Sequence, residues 1–132
     1  MSPTALSLRL LRREGWQPAV VERWLPRINL RQDLWHFADV LACHPRERRF
    51  LVVQVSSLGN LAGRLAKVRG RPEAATWLAA GGAIEVHGWA LRNGRWHCKR
   101  VGIRPEDLAA VVITAPPRQR APSRWQQGEL YA

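Results

Sequence analysis

Two polar residues, Asp39 and Gln54, interrupt stretches of the chain that are otherwise apolar. An ionised carboxylate within an apolar strand is costly unless it is paired or binds a metal ion. Carboxylate and amide oxygens are ligands that hard cations such as Mg²⁺ prefer. We therefore expect a functional role for Asp39. The alternative is a structural Asp paired with a buried Arg.

The elements that must position these two residues can be predicted from the surrounding pattern. Residues 34–42 and 50–56 are apolar at nearly every position and are separated by a polar turn over residues 44–49. Unbroken apolar runs of this length, bounded by Pro and charges, are typical of strands that are buried on both faces. A helix is predicted to open near Asn60, after the turn that follows the second run.

The spacing of residues 38–42 and 53–56, joined by a short charged turn, resembles the core of the PD-(D/E)xK nuclease superfamily. Within it, the pattern is most similar to small archaeal-type Holliday junction resolvases and their phage-encoded relatives. In that pattern an Asp and a Glu on neighbouring strands bind Mg²⁺, and a Lys two residues after the Glu assists the attacking water. Asp39 matches the Asp, while Gln54 and Ser56 depart from the Glu and the Lys.

This resemblance, which covers roughly residues 4–103, implies a catalytic set of Asp39, Gln54, Ser56 and Lys67. Asp39 and Gln54 are the expected ligands of Mg²⁺ or Mn²⁺. Lys67, from the next helix, is expected to replace the charge that Ser56 cannot supply. Glu22 on the first strand is a candidate for the metal-ligating charge that Gln54 lacks, and we class it as a supporting residue.

Asp33 is a second candidate for a supporting acidic residue. The chain from residue 19 to 25 is predicted as the first strand, and residues 27–33 as an Arg-bearing loop. Asp33 and Asp39 would share one face of a continuous strand, but at about 20 Å apart they could not bind the same ion. The two would come together only if the strand begins after Asp33 and the chain bends.

The charge of the chain predicts a polyanionic partner. Its 21 basic and 10 acidic residues give a net charge of +11 and a pI near 11.6. Such an excess favours nucleic acid, because neutralising phosphates releases counterions and supplies affinity that does not depend on sequence. An acidic protein or an anionic membrane is the alternative. The residues expected to contact DNA are Arg31, Arg64, Lys67 and Arg71, the last three on one helical stripe that would otherwise be a solvated face.

Further elements follow from helix and turn signals. An N-terminal helix is expected after Pro3 and ends at Gly15, with its apolar stripe toward the sheet. Another helix starts at Pro72 and is closed by residues 81–82. Residues 84–91 and 95–101 flank Asn93 and Gly94, which predict a two-residue hairpin turn. A last short helix is expected over residues 105–110.

Tryptophan is abundant, with 7 residues of this type in the chain. Next to arginines, as in Arg23-Trp24 and Arg95-Trp96, tryptophans could stack on unpaired bases. For each of them, a place in the core is the alternative. From residue 115 onward the composition is rich in Pro and Arg, which predicts a C-terminal tail over residues 115–132.

The length of 132 residues predicts a single domain over residues 1–114, preceding that tail. The predicted fold is α/β, a restriction-endonuclease-like mixed β-sheet of about five strands flanked by helices. Cys43 and Cys98 lack a partner motif and are expected to be reduced thiols. With no signal-peptide or membrane-span pattern, we expect a cytoplasmic protein that does not bind a membrane.

The function that combines these observations is a Mg²⁺-dependent endodeoxyribonuclease, Holliday junction resolvase-like, that acts on branched or duplex DNA. The alternative is a nucleic-acid-binding module that kept the nuclease fold and lost the chemistry. A basic adaptor that binds an acidic protein is a third hypothesis. Whether the protein acts as a monomer or a homodimer stays open.

Overall fold

The helices begin where the sequence carries helix-start signals. The computed structural model describes residues 1–108, and its helices span Pro3–Arg13 (α1), Leu61–Arg69 (α2) and Pro72–Ala79 (α3). Ser2 caps α1 by accepting a hydrogen bond from the Ala5 amide, and Gly15 leaves the helix with φ +96°. These starts and ends confirm the predicted helices. Two short 3₁₀ turns lie at Leu58–Asn60 and Pro105–Asp107.

Seven strands are present in the described residues. They are Gln17–Val20 (β1), Arg23–Leu25 (β2), Leu30–Gln32 (β3), Val40–His44 (β4), Arg49–Ser57 (β5), Ala83–Arg92 (β6) and Arg95–Ile103 (β7). Five form a mixed sheet in the order β1-β4-β5-β6-β7, and β2 pairs with β3 in a separate two-stranded sheet. Only β5 and β6 run parallel, and α2 and α3 form the crossover that a parallel pair requires. The predicted α/β class and five-stranded mixed sheet are confirmed.

The central strand β5 is buried on both faces, as its apolar run predicts. The six residues from Leu51 to Ser56 are all buried. Side chains alternate between the faces of a strand, so Val53 and Val55 pack in the layer that contains α1, while Val52 packs in the layer with α2 and α3. The sheet therefore separates two apolar layers, and β5 carries residues into both.

The predicted first strand, residues 19–25, is wrong in its boundaries. The chain pairs with β4 only as far as Val20, leaves the sheet, and forms the β2–β3 hairpin. Residues 27–33, predicted as a loop, contain strand β3. Asn29 lies in the tip of this hairpin with φ +51°, a conformation that Asn adopts more readily than most residues. Pro26 ended the strand as expected, but the return strand carried too short a pattern to be detected.

The strand predicted for residues 34–42 is also shorter than expected. Leu34 and Ala38 form an isolated bridge around a tight turn in which Trp35 and His36 have positive φ. Strand β4 begins only at Val40. The apolar residues of the turn are buried against α2 and α3 rather than in the sheet, which is why their pattern imitated a strand. The chain therefore bends between Asp33 and Asp39.

The hairpin of β6 and β7 has the predicted register. Asn93 and Gly94 have φ of +51° and +73°, as the two-residue turn requires, and Trp89 lies opposite Cys98. Cys43 and Cys98 are both unbonded thiols, in agreement with the prediction. Burial raises the pKa of Cys98 to about 11, which makes it a poor nucleophile.

A closed polar network joins α1 to this hairpin. The Trp89 indole donates to Ser7 Oγ at 2.9 Å, and Ser7 Oγ contacts His87 Nδ1 at 2.9 Å. Because the Glu85 carboxylate accepts from His87 Nε2 at 2.9 Å, Nδ1 of the neutral imidazole accepts from the Ser7 hydroxyl. Arg100 then joins Glu85 to Glu14.

Several predictions fall on residues 109–132 and lie outside the described part of the chain. These are the domain end at residue 114, the Pro/Arg-rich tail and the last residues of the short helix predicted over 105–110. Within residues 1–108, none of the helices has the length and apolar character that crossing a membrane requires.

Candidate metal and phosphate site

Asp39 and Gln54 are neighbours across the junction of β4 and β5. Extending the register of these strands by one residue beyond Val40 and Val53 places the two side chains on the same face. Gln54 Nε2 donates to Asp39 Oδ2 at 2.6 Å, and the Val55 amide donates to the same oxygen at 2.7 Å. Both bonds end on Oδ2, so Oδ1 is the oxygen that can face a ligand.

Three carboxylates converge beside this pair. One oxygen from each of Glu22, Asp33 and Asp39 lies within 4.8 Å of the others. Glu22 follows β1, Asp33 follows β3, and Asp39 precedes β4, so all three lie where the chain enters or leaves a strand. The separation of about 20 Å expected for Asp33 and Asp39 on one straight strand is therefore wrong, because the turn at residues 34–38 folds the chain back.

The cluster is electrostatically unfavourable without a cation. Burial raises the pKa of Asp39 to about 8; the Val55 amide opposes this rise, and the nearby carboxylates of Asp33 and Glu22 add to it. Like charges at this distance disfavour each other's ionised form. The geometry thus holds the Asp39 carboxyl group where its ionised form is disfavoured, and a strongly shifted pKa of this kind is typical of functional sites.

Basic side chains from two elements approach the same carboxylates. Lys67 Nζ lies 3.3 Å from Asp33 Oδ2, and Arg31 Nη1 lies 3.8 Å from Glu22 Oε1. Arg64, one turn before Lys67 on α2, lines the same cavity. Arg71, the fourth residue expected to contact DNA, does not line it. It forms a bidentate ion pair with Glu73 at the start of α3 instead.

Ser56 lines the cavity, but its hydroxyl is directed at the backbone. Oγ donates to the carbonyl oxygens of Ser57 at 2.9 Å and His87 at 3.3 Å. A hydroxyl engaged in this way bridges β5 to β6. The position that holds the Lys in the nuclease pattern therefore has a structural contact here, and Lys67 is the ammonium that reaches the carboxylates.

Gln54 contributes an observation that the carboxylates alone do not. Its side chain is 1% exposed, and Oε1 is a buried polar atom with no hydrogen-bond partner in the described part of the chain. An unsatisfied buried acceptor costs about 1–3 kcal/mol and is rare in folded proteins. The same amide donates to Asp39 through Nε2, so the Gln54 side chain that carries the unpartnered oxygen is in contact with the Asp39 carboxylate. The donor set is thus carboxylate and amide oxygen, which fits Mg²⁺ or Mn²⁺.

An open cavity of about 710 Å³ connects these groups to the surface. It lies at the carboxyl end of β5, the end of parallel strands where α/β proteins bind ligands. The first turn of α1, from Pro3 to Ala5, forms another wall and contains no acidic residue. Its amide groups and helix dipole favour an anion in the cavity.

The structure thus brings together Asp39, Gln54, Ser56, Lys67, Arg31, Arg64, Glu22 and Asp33, and excludes Arg71. What the sequence interpretation missed is the α1 wall; it named Glu22 as a candidate for the metal-ligating charge and left open whether a bend brings Asp33 to Asp39. The signal for the wall was the Ser2-Pro3 helix start, whereas the residues around the turn gave no signal that Asp33 and Asp39 meet.

Comparisons of the chain with protein-family models, curated proteins and solved structures gave no match.

Proposed function

We propose that the protein is a metal-dependent endodeoxyribonuclease that hydrolyses a phosphodiester bond in the cavity between β5, α1 and α2. The observation that carries this proposal is the meeting of three carboxylates within 4.8 Å, next to Gln54, whose buried Oε1 has no hydrogen-bond partner within residues 1–108. The restriction-endonuclease-like fold, the PD-(D/E)xK relationship and the Holliday junction resolvase-like activity belong to the same proposal. The five-stranded mixed sheet is compatible with them.

In this proposal the acidic and the basic side chains of the cavity have different roles. Glu22, Asp33 and Asp39 would hold Mg²⁺ or Mn²⁺, with the Gln54 oxygen as a neutral ligand. A hard cation there supplies an acidified water and neutralises charge that develops on the phosphate. Arg31 and Arg64 bind the phosphates of the DNA on either side. The Lys67 ammonium, held by Asp33, stabilises the negative charge of the transition state.

The net charge of +11 supports DNA as the substrate. Three of the ten acidic residues, Glu22, Asp33 and Asp39, line the cavity, and Arg31, Arg64 and Lys67 line it with them. This arrangement fits a partner that is attracted by the whole surface and meets a cation at the point of reaction. Binding is therefore expected to fall by orders of magnitude between about 50 and 200 mM salt if six or more phosphates are engaged.

The decisive experiment is a cleavage assay with Mg²⁺ and with Mn²⁺ on four-way junctions, flapped duplexes and plain duplexes. Asp39→Asn should abolish cleavage and leave DNA affinity unchanged or higher, because it removes a negative charge while keeping the acceptor for the Val55 amide. Glu47→Gln is the matched control, since Glu47 is an exposed acidic residue outside the cavity. Absence of cleavage by the wild-type protein on every substrate would refute the enzyme proposal.

Two further substitutions separate metal binding from the chemical step. Gln54→Glu should raise metal affinity, because a carboxylate is a better ligand of hard cations than an amide. Lys67→Ala should lower turnover more than it lowers DNA binding, since only an interaction that strengthens in the transition state changes the chemical step. Equal losses in turnover and binding would assign Lys67 to binding alone.

One observation favours the second candidate, a DNA-binding module without catalytic activity. Ser56 takes the position of the motif Lys and donates its hydroxyl to backbone carbonyls, and Gln54 carries no charge. A protein of this kind would bind DNA with the same salt dependence and would not cleave it in Mg²⁺ or Mn²⁺. The assay above distinguishes the two.

A further inference from the structure

The β2–β3 hairpin stands apart from the five-stranded sheet and exposes large apolar side chains. Its strands pair with each other and with no strand of the main sheet. Trp24, Ile28 and Leu30 are 54%, 64% and 55% exposed. Apolar residues clustered on a projecting element are typical of an interaction surface. Arg23, Arg27 and Arg31 lie on the same hairpin, so the surface combines apolar and basic groups.

The register of the hairpin places Trp24 beside a residue that lines the cavity, although Trp24 itself does not line it. Trp24 is the cross-strand partner of Arg31, and partners in an antiparallel pair project to the same face. Arg31 lines the cavity and lies 3.8 Å from Glu22, a member of the carboxylate cluster. The Trp24 indole is therefore next to Arg31, a side chain that contacts one of the proposed metal ligands.

The other tryptophans of the described residues do not combine exposure with this position. Trp16 and Trp89 are buried in the α1 layer, and the Trp77 indole donates to the Ala83 carbonyl at 2.7 Å. Trp35 is 38% exposed, but its ring packs on Trp77 and lines a different cavity with it. Trp96 is 40% exposed on β7 and lines no part of the carboxylate cavity. Trp24 is thus the exposed indole beside the proposed site.

We propose that Trp24 is a stacking platform for an unpaired base next to the phosphodiester that is cleaved. This inference rests on the proposed function and narrows its substrate class to DNA that presents an unpaired base at the cleavage point, as a flap, gap or branch does. Aromatic rings stack on bases of any sequence, and adjacent arginines hold the backbone. In a fully paired duplex the bases are stacked on each other, and reaching the indole would require unstacking one of them.

Charge distinguishes this partner from a second copy of the chain. Two copies meeting through their hairpins would bring Arg23, Arg27 and Arg31 of each against the other, which like-charge repulsion opposes. A stable dimer also buries about 1,200 Å² or more, whereas the hairpin consists of two strands of three residues each. A polyanion with an exposed base satisfies both the apolar and the basic groups.

The test is equilibrium binding of fluorescein-labelled DNA in EDTA, so that the result does not depend on cleavage. A flapped duplex is compared with a fully paired duplex of the same length. Trp24→Ala should reduce affinity for the flapped DNA by about 5- to 100-fold, a loss at least five times larger than the loss for the paired duplex. Trp24→Phe should restore most of the difference. Trp96→Ala, the matched control, should change either affinity by less than about twofold, because an exposed residue outside the contact has little effect.

The outcomes separate the inference from the proposed function. A loss for Trp24→Ala that is equal on both DNAs, or no loss at all, overturns the stacking role even if the wild-type protein cleaves DNA. A selective loss supports it even if no cleavage is found. Sedimentation of the wild type as a dimer and of Trp24→Ala as a monomer would assign the hairpin to a second copy and also overturn the inference.

Discussion

The Asp39–Gln54 pair and the Ser7–His87–Glu85 network are two groups of buried polar residues on opposite faces of one sheet. Gln54 is in register with Val86, which packs in the α2–α3 layer, and His87 is in register with Val55 in the α1 layer. Both groups interrupt apolar strands. They differ in how completely their hydrogen bonds and charges are satisfied.

The His87 network is closed. The Trp89 indole, the Ser7 hydroxyl and His87 Nε2 each donate to an acceptor, and the carboxylates of Glu85 and Glu14 are both paired with Arg100. The Asp39 cluster is open: Lys67 and Arg31 approach the carboxylates of Asp33 and Glu22, but within residues 1–108 no basic side chain is paired with Asp39 and no donor reaches Gln54 Oε1. A closed network stabilises and specifies the fold, whereas an open one leaves unsatisfied groups that a ligand can satisfy. Four measurements test this contrast.

Breaking the closed network should have the largest effect on stability. His87→Ala removes a fully buried side chain, leaves a cavity, and deprives Ser7 and Glu85 of a partner. We expect the free energy of unfolding to fall by about 3–5 kcal/mol, measured by urea denaturation. His97→Ala, an exposed histidine on β7, should change it by less than about 0.5 kcal/mol. A loss below about 1 kcal/mol for His87→Ala would contradict a stabilising network.

Acid should open the same network. Burial alone would raise the pKa of Glu85, but hydrogen bonds from His87 and Arg100 outweigh it and lower the pKa to about 2. A lowered folded-state pKa adds stability above pH 4.5 that is lost as the pH falls from about 4.5 to 2. We expect this contribution to reach at most about 3 kcal/mol. Glu85→Gln should lack that part of the pH dependence in denaturation curves; an identical slope in both proteins would contradict the assignment.

Removing the Asp39 carboxylate from the cluster should stabilise the protein in the absence of divalent cations. Asp39→Asn keeps an acceptor for the Val55 amide and removes a carboxyl group whose ionised form is disfavoured by burial and by two neighbouring carboxylates, so that its pKa is about 8. We expect a gain of about 1–2 kcal/mol in EDTA. In Mg²⁺ the wild type should gain stability and Asp39→Asn should not, because only a ligand that binds the folded state raises its stability. Destabilisation by Asp39→Asn in EDTA would show that Asp39 is a structural residue.

The smallest expected effect is on DNA binding, and it compares an arginine that is paired within the protein with one that faces the cavity. Arg71 is paired bidentately with Glu73, whereas Arg64 faces the cavity. Arg64→Ala should weaken DNA binding about three- to tenfold at low salt and lower the salt slope by about one, and Arg71→Ala should weaken it less than twofold. Fluorescence anisotropy on one duplex at several salt concentrations measures both. Equal effects would restore Arg71 to the DNA-binding surface and show that its ion pair with Glu73 opens.

The local and periodic features of the fold were predictable because each follows from a short segment. The apolar run of β5, the helix start at Ser2-Pro3 and the Asn93-Gly94 turn specify their elements through burial, capping and backbone conformation. The hairpin turn also set the register that places His87 opposite Arg100. Asp39 was identifiable for a similar reason, since a carboxylate in an apolar stretch is costly wherever the chain folds.

The composition of the site was decided by tertiary structure. Nothing in residues 19–38 reveals that the first predicted strand would end at Val20, or that an apolar turn would bring Asp33 back to Asp39, because both depend on packing against distant helices. The same holds for the separation of Arg71 from Arg64, which depends on the start of α3. The sequence alone shows which charged residues interrupt apolar segments and must therefore be buried or lie near the core. Only the folded chain, which brings separate segments together, decided which of those charges meet.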